Sequence, residues 1–197
     1  MSPPVSITSA EPSEAPRLAA LIAESFHPLA VAAWLVPDRV ARARILPRQF
    51  AILVEHALTH GHVDVTSDRT AVAVWMHRTE PEFPAPVDYD RRLEAACGAH
   101  IDRFRTLDEL FDTHHPEGPP HHHLALLAVH PATQGVGLGT ALLRHHHRGL
   151  DAQRIPSYLE AACPRSAALY ARHGYRMRGT LALPAGPSMY PMWRNPQ

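Results

Sequence analysis

The sequence contains no lysine, and asparagine occurs once, at Asn195. All nineteen cationic residues are arginines, balanced by nineteen acidic residues. A chain without net charge projects no long-range field toward nucleic acid or anionic lipid, so neither is expected as a partner. Alanine, proline and arginine have GC-rich codons, lysine and asparagine AT-rich ones, so the skew reads as coding bias. Cysteine is scarce too. Cys97 and Cys163 cannot build a disulfide framework, and a cytoplasmic protein is the default expectation. No apolar run reaches the ~18–20 residues of a bilayer span. Residues 1–10 lack a basic segment leading into an apolar one, so no secretory leader is expected.

What is present suits one domain over residues 1–197, with 45% hydrophobic and 19% charged residues. Twenty prolines punctuate it. The N-terminal half reads as a short strand at 5–8, then a helix capped by Ser13 with Leu18, Leu21, Ile22 and Phe26 on one face. A second helix is expected over 38–60, with Gly61 as its stop. Two strands, 62–66 and 71–76, flank a turn; a Pro-containing loop covers 79–89, and one helix spans 91–112. The C-terminal half reads as strand 122–129, helix 138–151, strand 157–161 and a helix from 164 to 173 ending at Gly174. A hairpin of 175–183 with 188–193 closes the chain. This alternation implies an α/β fold: a mixed central sheet of about six to seven strands with helices on both faces.

The most informative stretch runs from Leu127, Ala128 and Val129 through a turn to Gln134, Gly135, Val136, Gly137, Leu138, Gly139 and Thr140. A buried strand feeds a turn with glycines at alternate positions, and a helix follows. Free amides at a helix start, aligned with the macrodipole, bind phosphate or diphosphate. The loop is not a Walker loop, since no Gly-Lys-Ser/Thr follows, and its third glycine comes one position too early for a dinucleotide fingerprint. Two histidine triplets, 121–123 and 145–147, invite a metal reading. Consecutive residues alternate faces in a strand and fan apart in a helix, so neither triplet is a ready three-ligand site and no metal is expected.

The segment Gln134-Gly135-Val136-Gly137-Leu138-Gly139, after Leu-Ala-Val and a proline, resembles the Gln/Arg-x-x-Gly-x-Gly/Ala motif of the GCN5-related N-acetyltransferases (GNAT). Downstream, Leu159-Glu160 and Leu169-Tyr170-Ala171-Arg172-His173-Gly174-Tyr175 resemble that family's second motif, in the right order. Together with Ala71-Val72-Ala73-Val74-Trp75 and Cys163-Pro164-Arg165, they are similar to the group that acetylates puromycin.

The resemblance implies a GNAT fold in which residues 1–120 shape an acceptor site and 121–197 bind acetyl-CoA. It implies transfer of acetyl to a primary amine of a small molecule, an antibiotic among the candidates, by direct attack in a ternary complex. The rivals are a protein or peptide acceptor, or a silent acyl-CoA sensor. A monomer or homodimer is expected. By the same resemblance, the amides of Gly135 through Thr140 would hold pyrophosphate, and the main chain of Leu127, Ala128 and Val129 would pair with pantetheine. Cys163 stands where the family often has asparagine, which weakens a pantetheine contact there. Ser166 is a further candidate contact to the cofactor.

Acyl transfer needs a neutral amine and a proton for the departing thiolate. The resemblance makes Tyr170 the acid. For the base two candidates stand: His123, where relatives place a glutamate on this strand, and Glu160 on the neighbouring strand. In a regular strand His121, His123, Ala125, Leu127 and Val129 would share one face. Trp34, Phe50, Trp75, Phe83 and Tyr89 are candidate walls of the acceptor pocket.

Overall fold

A computed structural model describes residues 5–79 and 83–197. Pro81, in the loop expected over 79–89, and the first four residues lie outside the described residues. The elements in chain order are β1 (Ile7–Ser9), α1 (Ala15–Phe26), α2 (Ala30–Leu35), α3 (Arg39–His60), β2 (Gly61–Thr66), β3 (Ala71–Arg78), α4 (Tyr89–Cys97) and α5 (Ile101–His114). Then follow β4 (His121–Val129), α6 (Leu138–Gln153), β5 (Ser157–Ala161), α7 (Pro164–Arg172), β6 (Arg176–Met177), β7 (Leu181–Ala182) and β8 (Ser188–Arg194). No described helix is long and apolar enough to cross a membrane.

The sheet runs β1-β2-β3-β4-β5-β8-β6, with β7 also on β8. Among the described strands, only the β4–β5 pair is parallel. Strands β6 and β7 are two halves of one interrupted edge, facing Trp193 and Met192, and Met189 and Ser188, respectively. The expected mixed sheet with helices on both faces is therefore observed. Helices α1 to α5 cover one face and α6 and α7 the other, giving two cores. Every residue from Ala71 to Met76 is buried, as a strand covered on both sides requires.

Two local expectations are corrected, and one element is added. Helix α1 is not capped by Ser13; Glu11 and Glu14 form a reciprocal box around a 3-10 turn that contains it. The single helix expected over 91–112 is two, because the chain turns left-handed at Gly98 (φ +52°), a conformation open to glycine. Helix α2 occupies part of a stretch that carries no sequence signal. Its surroundings are fixed by Arg42, a buried guanidinium donating to the carbonyls of His27 (2.8 Å), Val36 (2.8 Å) and Pro37 (3.0 Å). The fork ties the end of α1 to the end of α2 through main-chain carbonyls that no helix satisfies.

Strand β4 positions everything that follows. Leu124 pairs with Trp75 but Leu126 pairs with Val74, so Ala125 is an extra residue, a β-bulge. The bulge reverses the alternation. His121, His123 and Ala125 face the α1–α5 side, whereas Leu127 and Val129 face α6 and α7. The expectation of one shared face over all five is therefore wrong, and the inserted residue is the reason.

Candidate active site

Strands β4 and β5 pair only at His122 with Ser157 and His123 with Tyr158. Beyond that point β4 bonds β3 alone and β5 bonds β8 alone. The sheet is split there, and the main chain of Leu127, Ala128 and Val129 presents its unpaired side to the gap.

At the end of β4 the chain enters the glycine turn. Gln134 does not project freely, because its side-chain amide donates to the Val129 carbonyl at 3.1 Å and ties the turn to the strand. Gly135 (φ +85°) and Gly137 (φ +93°) are both left-handed, and Gly137 caps α6. A Cβ at either would meet nothing, so conformation rather than space demands glycine there. Ala141 is the first residue whose amide bonds back into the helix, to Gly137 at 2.9 Å. The amides of Leu138, Gly139 and Thr140 precede it and have no intrahelical acceptor. Gly139 sits against Leu127, Val129 and Leu169, so it also seats the helix on the strand. The turn from Gln134 to Gly137 is exposed, and free amides at a helix start are the groups that bind phosphate.

Helix α7 begins at Cys163. The Cys163 thiol accepts from the Ser166 amide at 3.5 Å, while the Ser166 hydroxyl bonds the Cys163 backbone. Both side chains are thus committed to a cap. Tyr170 lies two turns on, buried beside Tyr175 with ring centroids 5.8 Å apart. No hydrogen-bond partner is found for its hydroxyl among the described residues. Burial pushes the Tyr170 phenol above its ordinary range, helped by the nearby Cys163 thiol, so it keeps its proton.

The two candidate bases form one pair. His123 Nε2 lies 2.8 Å from Glu160 Oε2, with side chains 11% and 4% exposed. His123 Nδ1 and Glu160 Oε1 are buried without a protein partner. Around the pair stand His115 and Tyr158, whose rings are 5.2 and 5.5 Å from that of His123. Burial raises the Tyr158 phenol, and the Glu160 carboxylate raises it further. Burial depresses His115 to about 2, keeping it neutral beside His123. A hollow of ≈290 Å³ opens on this side, lined by His114, Tyr158, Arg178, Leu181 and Trp193 among others.

Of the expected pocket aromatics, Trp75 is wholly buried against α6 and Phe50 packs in the core on Phe26. Neither opens onto this hollow. The aromatics that line it, Tyr158 and Trp193, lie on β5 and β8 and carry no signal in sequence beyond strand alternation, while the expected Tyr89 lines a separate hollow with Asp108.

Residues 98–177 match the family model described as an acetyltransferase (GNAT) domain. Among solved structures, the chain is similar to a histone acetyltransferase HPA2 and related acetyltransferase from Corynebacterium glutamicum. The two share 25% identity over 98% of this chain and 97% of that one, with a TM-score of 0.74. It shares its fold with the Drosophila melanogaster polyamine N-acetyltransferase that forms N-acetylagmatine, at 17% identity, 98% and 100% coverage, and a TM-score of 0.62. The same holds for arylalkylamine N-acetyltransferase 2 from Aedes aegypti, at 10% identity, 99% and 100% coverage, and a TM-score of 0.62.

Proposed function

Because the chain carries the acetyltransferase domain of the GCN5-related family, we propose that it moves an acetyl group from acetyl-CoA to the primary amine of a small molecule. The observation that carries this reading is the split between β4 and β5, with a row of free amides at its mouth and an acid–base pair on its flank. When bound, acetyl-CoA supplies the acyl group as an activated thioester. The amides of Gly135 to Thr140 hold its diphosphate, and the unpaired main-chain edge of Leu127, Ala128 and Val129 aligns its arm.

His123 and Glu160 act as a unit rather than as rivals. The imidazole donates Nε2–H to the carboxylate, which leaves the Nδ1 lone pair to take the amine proton. Glu160 then stabilises the imidazolium. Tyr170 supplies a proton to the departing thiolate, for which its unbonded hydroxyl and retained proton suit it. The aromatic hollow beside Tyr158 and Trp193 is sized for a small amine rather than a polypeptide.

The test is thiol release from acetyl-CoA across a panel of polyamines, arylalkylamines and amine-bearing antibiotics, with calorimetric titration of acetyl-CoA alongside. Turnover with a small amine, falling at least ~10²-fold in His123→Ala, supports the proposal. Binding without turnover would make the domain an acyl-CoA sensor. Absence of binding would remove the transferase reading altogether.

A further inference from the structure

The opposite face of β4 carries a second histidine cluster that the transfer chemistry does not use. His122 points away from its neighbour His123, as strand alternation requires, toward α6. Its cross-strand partner is His77 on β3. The two rings stack with centroids 3.9 Å apart and planes 21° from parallel. From α6, His146 lies flat on Trp75 at 4.0 Å and brings its Nε2 to 2.9 Å from His122 Nδ1. One nitrogen from each of His77, His122 and His146 falls within 4.8 Å of the other two. His77 Nε2 is buried and has no hydrogen-bond partner among the described residues.

A carboxylate stands behind the cluster. Asp64 on β2 has a side chain only 1% exposed. Its Oδ2 accepts from His146 Nδ1 at 3.0 Å, while Oδ1 is met by His62 Nε2 at 3.0 Å. The His146 proton is therefore fixed on Nδ1, and the Nε2 lone pair is turned toward His122 and His77. A buried carboxylate orienting an imidazole whose other nitrogen faces further imidazoles is the support that metal-ligating histidines use.

We propose that His77, His122 and His146 form a binding site for a divalent transition-metal ion of the Zn²⁺ type, held in orientation by Asp64. Tetrahedral coordination with Zn–N of about 2.0–2.1 Å sets the nitrogens about 3.3–3.4 Å apart. The 2.9 Å contact has to open slightly and the wider separations to close, by side-chain rotation alone. His122 moves its proton from Nδ1 to Nε2 and binds through Nδ1, so the ion replaces a hydrogen bond without releasing a proton. Three protein nitrogens leave a fourth position for water. The ion would pin α6 to β3 and β4. It reverses the sequence expectation about the two triplets: neither holds a metal alone, but His122 of one and His146 of the other converge with His77.

The test uses untagged full-length protein stripped with a chelator and titrated with Zn²⁺ and Co²⁺. The site predicts one ion per chain by calorimetry, intense visible Co²⁺ bands of four-coordinate geometry, and a rise in melting temperature with Zn²⁺. His77→Gln and His122→Gln should abolish all three effects. Asp64→Asn should weaken affinity about 10–100-fold while keeping the stoichiometry. His60→Ala, an exposed histidine at the end of α3, should change affinity less than about twofold. Weak octahedral-type Co²⁺ spectra in the unaltered protein, or equal binding by the unaltered protein and His77→Gln, would overturn the proposal without depending on any variant's folding. Thiol release from acetyl-CoA is measured separately and bears on neither outcome.

Discussion

Tyr170 shows how one side chain separates chemistry from packing. Its ring is buried against Tyr175, while its hydroxyl bonds no described residue and is not among the buried unpartnered atoms, so the oxygen reaches solvent. Replacement by phenylalanine keeps the ring against Tyr175 and removes only the proton. Tyr170→Phe is therefore expected to lower kcat by about 10²-fold or more with little change in melting temperature, read by thiol-release kinetics and circular dichroism. Asp108 gives a contrasting residue-scale prediction. Burial raises it to about 6 from 3.8, partly opposed by the Tyr89 hydroxyl that donates to it at 2.7 Å. The folded state thus binds the proton more tightly than the unfolded one between those values. Stability falls as pH rises from about 4 to about 6 and stays lower above. Asp108→Asn should remove that slope and stabilise the protein near pH 8 by up to about 3 kcal/mol, with no gain below pH 4, as melts across pH will show.

At the scale of elements, the glycine turn and the α2 region depend on different devices. Gly137 holds a left-handed backbone at the start of α6. Gly137→Ala costs about 1–2 kcal/mol there, and relief of that strain would redirect the amides. Acetyl-CoA affinity should therefore fall more steeply than stability, by at least about tenfold in calorimetric Kd. Arg42 crosslinks three carbonyls around α2. Lysine cannot reproduce that fork, and Arg42→Lys should cost about 2 kcal/mol, a fall of roughly 4–8 °C in Tm. Elements with periodic apolar faces, such as α1 with Leu18 and Ile22, were legible in sequence because burial enforces the period. Helix α2 and the break at Gly98 were not. The first is organised by an arginine from another helix and the second by one dihedral, and neither leaves a periodic trace.

Over the whole molecule, the glycine turn and the Tyr170 helix were readable because each is one contiguous stretch. The pairing of His123 with Glu160 was not, because it depends on the register of two strands 37 positions apart. The second histidine cluster was hidden for the same reason, joining three elements around Asp64. Both constellations hang on one spare residue in β4, Ala125, which allows histidines at one end of the strand and apolar side chains at the other to be sorted independently between the two sides of the sheet. Drawing that alanine into the ladder as an ordinary paired residue, while the C-terminal half of the strand keeps its seat, would turn residues 121–124 inside out. His123 would then point at α6 and His122 at the acceptor side, so ironing out one irregularity would disconnect two chemistries that share no atom, whereas removing the alanine outright leaves a regular strand with both histidines on their present faces.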